Sequence, residues 1–321
     1  MKSIHIVEKT LPLAWERAVI ETWHNGDIFS TEYDKAGDPP SRDVTAMIHV
    51  TEPFSEPRIH RAFPGGLDDL EKYRAEVLLG VHDYLIDHND KNKWQHTYHS
   101  LLFRYDTNKK CKVCGGIGII NLDDDEGQRG NKECLACDGT GGEKIDQVFG
   151  RGGIVEQLCK VPHTRRAQII TWQPWSHQSD PNAPCLQRMW FRVDQQNLLN
   201  MNIHIRSNDS FKAGYMNMYA FTELQKMVAD TLGVGVGSYI HVADSFHIYG
   251  SYFNEFEGFL KMTQNRPMED RVLSTDGVIP NTSERVRDFF VEGLDSLLSE
   301  PRMPEDKKQL VRERKTQLLQ V

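Results

Sequence analysis

The side chains that could do chemistry are concentrated between residues 183 and 249. In chain order they are Cys185 after a proline, Arg206 with Ser207, Asp209, Asn217, and the pair His247 and Tyr249. A thiolate can add to an electrophilic carbon, and an arginine can hold a phosphate through two parallel hydrogen bonds. An asparagine amide offers both donors and an acceptor to the edge of a base. The set predicts a site that binds a nucleotide phosphate, reads a pyrimidine edge and attacks the ring.

The order of these residues resembles the thymidylate synthase and pyrimidine nucleotide hydroxymethylase family. That family uses Pro-Cys for the nucleophile, Arg-Ser-x-Asp for the phosphate, the Asn of an Asn-x-x-x-Tyr-Ala helix start for the base, and His-x-Tyr for the sugar. The resemblance implies a role for each residue: Cys185 as nucleophile, Arg206 and Ser207 at the phosphate, Asn217 at the base, Asp209 at the folate pteridine, and His247 and Tyr249 at the deoxyribose.

The reaction implied by the resemblance transfers a one-carbon unit from 5,10-methylenetetrahydrofolate to C5 of a pyrimidine deoxynucleotide. Addition of the Cys185 thiolate to C6 turns the ring into an enolate, whose charge Asn217 steadies. Cytosine-specific members typically carry Asp at this position, so Asn217 favours dUMP as the substrate. Cys185, Asn217, Asp209 and Glu76 are the catalytic residues that the resemblance implies.

Spacing alone leaves two interpretations of Cys185. An isolated cysteine is commonly an inert core residue, whereas a neighbouring guanidinium favours the reactive thiolate. Its position after Pro184 and before the strand that ends at Arg206 favours the nucleophile. Cys159 has no such neighbours and is predicted to lie in the core.

The N-terminal part is predicted to form a strand and a helix within residues 1–30 and a second strand over Val44–Val50. Arg42 lies between a Gly/Pro-rich loop and that strand, where most arginines are only surface charges. In the resembled family a mobile N-terminal loop brings an arginine to the nucleotide phosphate. The resemblance therefore makes Arg42 a candidate phosphate ligand.

Residues 67–105 are predicted to be helical, with apolar residues on one face. Within them Glu76-Val77-Leu78-Leu79-Gly80 resembles the family's Glu-Leu-Leu segment, whose Glu organises water and relays protons. The alternative for Glu76 is a solvated helix glutamate. Trp94 and Tyr98 are candidates to line the same pocket, with Trp94 at the folate; both are alternatively core aromatics.

The segments Cys111–Gly118 and Cys134–Gly141 repeat the pattern Cys-x-x-Cys-x-Gly-x-Gly. Four thiolates make a closed tetrahedral zinc site, and the glycines let backbone amides face the sulfurs. The predicted ligands are Cys111, Cys114, Cys134 and Cys137. The repeats resemble the zinc-binding repeats of the DnaJ chaperone family over these short runs only. Two disulfides are the alternative, which a cytosolic chain disfavours. Residues 123–127 between the repeats are predicted to be an acidic, solvated loop. Residues 107–144 are therefore predicted to form an inserted lobe with structural zinc.

After the lobe, Ile145–Val148 is predicted to begin a helix, and a basic loop carries Arg165 and Arg166 into a strand. Two adjacent arginines are more often a surface pair than a ligand site. In the resembled family such a pair reaches across the dimer interface to the partner's phosphate. The resemblance therefore adds both arginines to the phosphate site and implies a homodimer that forms through the sheet.

Several positions depart from the family pattern. Leu186 stands where His is usual, Ile205 where Gln is usual, and Phe246 is an extra residue before His247. Methylating members end in an apolar tail that closes over the folate, whereas Lys307–Lys315 is predicted to be part of a charged helix. Water is then the expected trap, which predicts 5-hydroxymethyl-dUMP, with dTMP and dihydrofolate as the alternative products. A non-catalytic nucleotide-binding or regulatory protein is the alternative of another class.

Composition sets the outer bounds of these predictions. The chain has 321 residues, of which 39% are hydrophobic and 26% charged, and a formal net charge of -8. No apolar run approaches the roughly 20 residues that cross a bilayer, and the start lacks an apolar signal, so a cytoplasmic location without membrane contact is expected. The negative charge argues against nucleic acid as a partner. We expect an α/β (α+β) fold with a mixed sheet and surrounding helices, divided into a catalytic domain, 1–106 and 145–321, and the inserted lobe, 107–144.

Overall fold

The computed structural model describes residues 1–87, 90, 92–123, 129–137, 139–275 and 282–320, so most of the predicted acidic loop lies outside the described residues. The strands are β1 (Ser3–Glu8), β2 (Asp27–Phe29), β3 (Ser41–Val50), β4 (Ile59–His60), β5 (Tyr105–Lys110), β6 (Ile119–Asp123), β7 (Arg129–Glu133), β8 (Gly142–Ile145), β9 (Gln168–Ile170), β10 (Leu186–Val193), β11 (Leu198–Asp209), β12 (Gly235–Ile248) and β13 (Val272–Leu273).

The α-helices are α1 (Leu11–Asn25), α2 (Leu67–Leu79), α3 (Tyr98–Phe103), α4 (Ile154–Lys160), α5 (Pro174–His177), α6 (Gly214–Leu232), α7 (Phe253–Asn265), α8 (Met268–Arg271), α9 (Ser283–Leu298) and α10 (Glu305–Leu319). Short 3-10 turns lie at Asp83–Leu85 and Gly250–Tyr252. Across the part of the chain that the structure describes, no helix combines the length and apolar character needed to span a membrane.

One mixed sheet organises the fold. Its strands run in the order β1-β3-β12-β11-β10-β9, and β2 also pairs with β3. The pairs β1–β3 and β11–β12 are parallel, whereas β3–β12, β10–β11 and β9–β10 are antiparallel. Helices α1 and α6 pack against this sheet. The predicted α/β class with a mixed sheet and surrounding helices is confirmed, and β1 and α1 are the strand and helix predicted at the start.

The packing of α1 against α6 positions the start of α6. Trp15 of α1 is fully buried, and its ring stands edge-on to that of Tyr215 with centroids 5.4 Å apart. The indole Nε1 donates to the backbone oxygen of Ser210 at 2.8 Å, so the burial leaves no indole donor unpaired. Because Ser210 directly follows β11, this contact ties α1 to the link between β11 and α6.

Buried ion pairs hold α2 against α6. Glu223 of α6 lies 2.6 Å from Arg58 and 3.0 Å from Arg74 of α2. Burial alone raises the pKa of Glu223, but the two guanidinium charges outweigh it and lower the pKa to about 2. Glu71 of α2 pairs with Arg314 of α10 at 2.7 Å. Removing one member of a buried pair leaves an uncompensated charge, so these contacts define where α2 lies.

Two predicted helices are wrong. The helix predicted over 67–105 is interrupted, because α2 ends at Leu79 where Gly80 adopts a left-handed conformation with φ 64°. Among the described residues between 80 and 105, α-helical structure resumes only in α3. The sequence also predicts a helix that begins at Ile145. That residue is instead the last of β8, where it pairs with Tyr105 of β5. Helix α4 begins only at Ile154.

The antiparallel pair β5–β8 frames the segment that holds the four cysteines. Because Tyr105 lies opposite Ile145, the chain leaves and rejoins the main body at neighbouring points. The hairpin β6–β7 lies between these two strands in the sequence, flanked by the two Cys-x-x-Cys turns.

Candidate active site

Cys185 lies immediately before β10, beside Arg206 of the neighbouring strand β11. The backbone N–H of Arg206 donates to the carbonyl oxygen of Cys185 at 2.9 Å. The Arg206 guanidinium donates to the carbonyl oxygens of Ala183 at 2.6 Å and Pro184 at 3.2 Å. Arg206 therefore braces the turn that presents the thiol, and the structure brings these two predicted site residues together.

The Cys185 thiol is predominantly neutral in this structure at pH 7. Burial raises its pKa above the ordinary value of 9.0, and the Arg206 charge lowers it by a smaller amount. The guanidinium thus acts in the direction that the sequence analysis expects, but desolvation of the thiolate outweighs it.

Helix α2 presents Tyr73 and, one turn later, Glu76 to the same pocket. The Tyr73 hydroxyl donates to Oδ1 of Asn217, in the first turn of α6, at 2.5 Å. Burial raises the pKa of Tyr73 well above 10.0, and the charges of Tyr98, Glu76 and Cys185 raise it further. The hydrogen bond places Tyr73 beside Asn217, and the pKa of Tyr73 also responds to Cys185.

Tyr98, at the start of α3, reaches the turn that carries Cys185. Its hydroxyl accepts a hydrogen bond from the N–H of Leu186 at 3.3 Å. Burial and the neighbouring Cys185 charge both raise its pKa, so the phenol is protonated. The Tyr98 ring also packs against Phe221 of the hydrophobic core with centroids 5.7 Å apart, so the structure is compatible with both alternatives for Tyr98.

Glu76 is paired with a histidine rather than left to solvent. Its Oε2 lies 2.8 Å from Nδ1 of His82. The His82 ring stands edge-on to Trp94, with centroids 5.6 Å apart, and Trp94 is 42% exposed. The Glu76 carboxylate thus pairs with His82, and its charge also raises the pKa values of Tyr73 and Tyr98.

A buried relay orients His247 near the end of β12. The Ser245 hydroxyl donates to Oδ2 of Asp43 at 2.7 Å and lies 3.0 Å from Nδ1 of His247. Because the hydroxyl proton points to the carboxylate, Nδ1 carries the imidazole proton and Nε2 is the acceptor. His247 is 5% exposed, burial lowers its pKa, and Nε2 has no hydrogen-bond partner among the described residues. A buried acceptor of this kind suits a ligand hydroxyl.

Two tyrosines extend the pocket from His247 toward solvent. The Tyr249 ring lies edge-on to His247 with centroids 4.6 Å apart, and Tyr33 lies edge-on to Tyr249 at 6.3 Å. Tyr33 is 63% exposed and comes from the loop after β2. Its pKa is raised first by the hydrogen bond to Glu32, and it also responds to Arg206 and Cys185. The loop therefore reaches Tyr249 through the ring of Tyr33.

Asp209 ends β11 and caps the turn into α6. Its Oδ1 accepts hydrogen bonds from the N–H groups of Phe211 at 3.1 Å and Lys212 at 2.9 Å. Burial raises the pKa of Asp209, and these bonds lower it by less. Ser207, two residues earlier on β11, lies in register with Ser245. Both predicted residues therefore lie at the strand end that carries Arg206.

The other predicted phosphate arginines do not meet Arg206 within one chain. The Arg42 guanidinium donates to the Trp23 carbonyl oxygen at 2.8 Å and lies 4.6 Å from the Trp23 ring centroid. Arg165 and Arg166 are exposed on the loop before β9. Of these arginines, only Arg206 contacts the Cys185 turn in the described part of the chain.

Sequence reasoning missed Tyr73, His82 and Tyr33. A signal existed for Tyr73, because it precedes Glu76 by three positions on a predicted helix and so shares its face. His82 and Tyr33 lie in connecting segments, whose course periodicity does not define. The prediction that Cys159 is a core residue is wrong: α4 buries Ile154 and Leu158, and Cys159 is exposed on another side of the helix.

The four cysteines of the lobe converge on one point. The sulfurs of Cys111, Cys114, Cys134 and Cys137 lie within 4.8 Å of one another, and all four residues are buried. The Sγ atoms of Cys111 and Cys134 are 3.9 Å apart, and those of Cys114 and Cys137 are 3.7 Å apart. Zn–S bonds of about 2.3 Å in a tetrahedron place sulfurs about 3.8 Å apart, whereas a disulfide needs about 2.05 Å. The sulfur set therefore fits zinc better than two disulfides.

Glycines allow backbone amides to face these sulfurs. The N–H of Gly118 points to Sγ of Cys114 at 3.2 Å, and that of Gly141 points to Sγ of Cys137 at 3.3 Å. Gly118 has φ +81°, and a Cβ there would meet the Gly139 carbonyl oxygen at 2.1 Å. A larger residue would displace the turn and its amide.

The family model for thymidylate synthase matches residues 90–296, which is more than half of the chain and includes both Cys185 and His247. The chain belongs to the thymidylate synthase family. Enzymes of the thymidylate synthase family are one-carbon transferases that use methylenetetrahydrofolate and bind a nucleotide substrate. The pocket described above is where this member brings together a thiol, an arginine and an amide.

Relatives within the thymidylate synthase family agree with this assignment. Two archaeal proteins carry the name "Putative thymidylate synthase". That of Methanocaldococcus jannaschii is 24% identical over 250 residues, covering 76% of this chain and 90% of the relative. That of Methanococcoides burtonii is 21% identical over 259 residues, covering 81% and 95%. The structure of thermostable thymidylate synthase A from Bacillus subtilis matches with a TM-score of 0.55 and 20% identity, over 81% of this chain and 85% of that one, and supports the fold.

Proposed function

We propose that the protein transfers a one-carbon unit from 5,10-methylenetetrahydrofolate to C5 of dUMP. The observation that carries the proposal is the meeting of Cys185, Arg206 and Tyr98 at one turn, with Glu76 and Asn217 in the adjoining wall. These five side chains come from five different elements of the fold. The bound folate would supply the one-carbon unit.

In this proposal Cys185 attacks C6 of the pyrimidine. The free thiol is neutral because it is buried, so it must lose its proton during substrate binding or attack. Arg206 is the neighbouring positive charge that favours the thiolate, and with Ser207 it holds the phosphate. The partner's Arg165 and Arg166, and Arg42 after a movement away from Trp23, would complete the phosphate site.

The remaining pocket residues read the base, the sugar and the folate. Asn217 pairs with the N3–H and O4 edge of uracil. Nε2 of His247 accepts a hydrogen bond from the deoxyribose hydroxyl, and Tyr249 contacts the same group. Asp209 and Trp94 contact the folate, and Glu76 organises water beside the ring.

For the product we propose 5-hydroxymethyl-dUMP together with tetrahydrofolate. In balance, dUMP, methylenetetrahydrofolate and one water give these two products. Three features support access of water: Trp94 is 42% exposed, Tyr33 is 63% exposed, and Arg314 holds α10 against α2 rather than over the pocket. Leu186, next to the nucleophile, is fully buried and apolar, so it supplies no side-chain hydrogen bond to the ring.

The test is incubation of the purified protein with dUMP and methylenetetrahydrofolate, followed by mass spectrometry of the nucleotide. We expect 5-hydroxymethyl-dUMP to form without dihydrofolate. Cys185→Ala should abolish product yet leave dUMP affinity within about tenfold, because the thiolate acts in the covalent step. If dTMP appears in step with dihydrofolate, the product assignment is wrong and the substrate assignment stands; turnover by Cys185→Ala would remove the thiol from the reaction.

We also propose that the protein is a homodimer formed through the face of the sheet opposite α1 and α6. Apolar side chains on that face remain exposed in the single chain: Val7 is 44%, Met47 43% and Ile170 38% exposed. Their strand neighbours Ile6, Ile48 and Ile169 are buried on the other face. Exposed apolar residues spread over three strands are typical of a protein contact surface.

Finally, we propose that residues 107–144 are an inserted lobe held by structural zinc, and that 1–106 with 145–321 form the catalytic domain. The close approach of β5 and β8 supports a single point of insertion. Four thiolates leave a tetrahedral ion no open position, so the zinc would act in folding and not in catalysis.

A further inference from the structure

We propose that Tyr73 determines the base specificity of the pocket by fixing the orientation of the Asn217 amide, so that the site accepts uracil and rejects cytosine. The proposal rests on the proposed function, because it takes the nucleotide to bind beside Cys185. Tyr73 acts through Asn217 and is therefore a positioning residue.

The contact between Tyr73 and Asn217 joins two helices that are held in fixed positions. The Tyr73 hydroxyl lies 2.5 Å from Oδ1 of Asn217. Tyr73 lies on α2, and the ion pairs of Glu223 with Arg58 and Arg74 hold α2 against α6. Asn217 itself is 7% exposed, so its amide has little freedom to turn.

The direction of this hydrogen bond follows from chemistry. The raised pKa of the half-buried Tyr73 keeps its hydroxyl protonated, so that the hydroxyl can donate, and Oδ1 can only accept. The Nδ2 group of Asn217 must then point away from Tyr73. Nδ2 makes no hydrogen bond to any described residue and is not fully enclosed, so it is a free donor at the pocket wall.

A free donor at this position distinguishes the two pyrimidines. Uracil presents the O4 acceptor to Nδ2 of Asn217, and its N3–H can use the second lone pair of Oδ1. Cytosine presents an amino group at C4, which would set one donor against another. The amide would have to turn over to accept cytosine.

Turning the Asn217 amide over would break its hydrogen bond with Tyr73. Nδ2 would then face the Tyr73 oxygen, and the phenol proton would lose its acceptor at a part-buried contact. A donor left without an acceptor away from water would make the turned amide about tenfold or more less populated than the original orientation. Without the hydroxyl the two amide orientations become more nearly equal, and discrimination falls.

The experiment compares the dissociation constants of dUMP and dCMP for the intact, zinc-loaded protein by calorimetric titration. The wild-type protein should favour dUMP, and Tyr73→Phe should reduce that preference by about tenfold. Tyr219→Phe removes another buried phenol, one that lies on α6 and is 2% exposed, and should leave the ratio unchanged. A purely structural role for Tyr73 would weaken both nucleotides alike, and an unchanged ratio in Tyr73→Phe would overturn the proposal.

A second measurement uses only the wild-type protein, so it tests the orientation of the Asn217 amide even if Tyr73→Phe does not fold. The probe is the 2-pyrimidinone deoxynucleotide, which shares the unprotonated N3 of cytosine but has no group at C4. With the amide fixed, dCMP should bind the wild-type protein more weakly than this analogue, because only dCMP opposes Nδ2. Tighter binding of dCMP would show that the amide turns freely. If wild-type protein bound none of the three nucleotides, the proposed function would fail and this inference with it.

Discussion

At the scale of single residues, burial and a neighbouring charge act in opposite directions on the thiol proton of Cys185. Burial raises the pKa of Cys185, while Arg206 lowers it by less. The same burial keeps the phenols of Tyr73 and Tyr98 protonated. The Arg206 guanidinium therefore lies beside a neutral thiol and a neutral phenol, an arrangement that favours the binding of an anion before the thiol reacts.

This balance predicts how the reactivity of Cys185 depends on pH. Because only the thiolate reacts and the folded pKa lies above 9.0, alkylation of the free protein by iodoacetamide should be slow at neutral pH and rise through and above pH 9. Arg206→Gln keeps a hydrogen-bond donor but removes the charge, so it should move the midpoint to higher pH. Mass spectrometry of the Cys185 peptide separates it from exposed Cys159. A midpoint below pH 9 would contradict the prediction.

At the scale of elements, the lobe and the pocket are built from separate segments. The sulfur ligands lie between β5 and β8, while the pocket draws on α2, α3, α6, β10, β11 and β12. A structural metal contributes to folding free energy through the segment that binds it. Loss of zinc should therefore loosen the lobe and leave the pocket largely intact.

We accordingly expect Cys114→Ser, or chelation, to lower the unfolding temperature and increase hydrogen exchange between residues 107 and 144, while dUMP affinity persists in the folded fraction. Cys159→Ser is the matched control, since that exposed thiol lies outside the sulfur cluster. Metal analysis of the purified protein gives the complementary result. Protein that contains no metal and has its lobe cysteines joined as disulfides would disprove the zinc assignment.

At the scale of the whole molecule, we propose a homodimer, because a single chain does not bring all the predicted phosphate arginines together. Arg206 lies at the Cys185 turn, whereas Arg165 and Arg166 are exposed and Arg42 is held at Trp23. An exposed arginine pair that serves another copy's phosphate would explain this placement. The sheet face that carries Met47 would provide the contact between copies.

A mixing experiment tests this arrangement. Cys185→Ala, and the double variant Arg165→Ala with Arg166→Ala, should each be nearly inactive alone. When the two are unfolded and refolded together, activity should return in part, since a mixed dimer has one site with both the thiol and the arginine pair. Sedimentation should show a dimer. A monomer at micromolar concentration, or mixtures as inactive as their components, would refute the arrangement.

The sequence by itself determined the parts of the protein whose information is local. Cys111, Cys114, Cys134 and Cys137 come together because each pair is held in one short turn and the glycines permit the turn. The start of the chain folds as predicted, because periodicity over a few residues is enough to define β1 and α1. The residue order from Cys185 to Tyr249 led to the thymidylate synthase family without any knowledge of contacts.

Tertiary structure alone decided the features that depend on packing between distant segments. Tyr73 meets Asn217 across 144 positions of sequence, and Tyr33 reaches the pocket from a loop that no periodicity describes. The helix predicted at Ile145 became a strand because Tyr105 lies beside it as a partner. The pKa of Cys185 is likewise raised by burial, although the nearby charge of Arg206 suggested from the sequence that the pKa would be lowered. Local propensity and spacing describe what a segment can do, but burial and long-range partners decide which of its options is most stable.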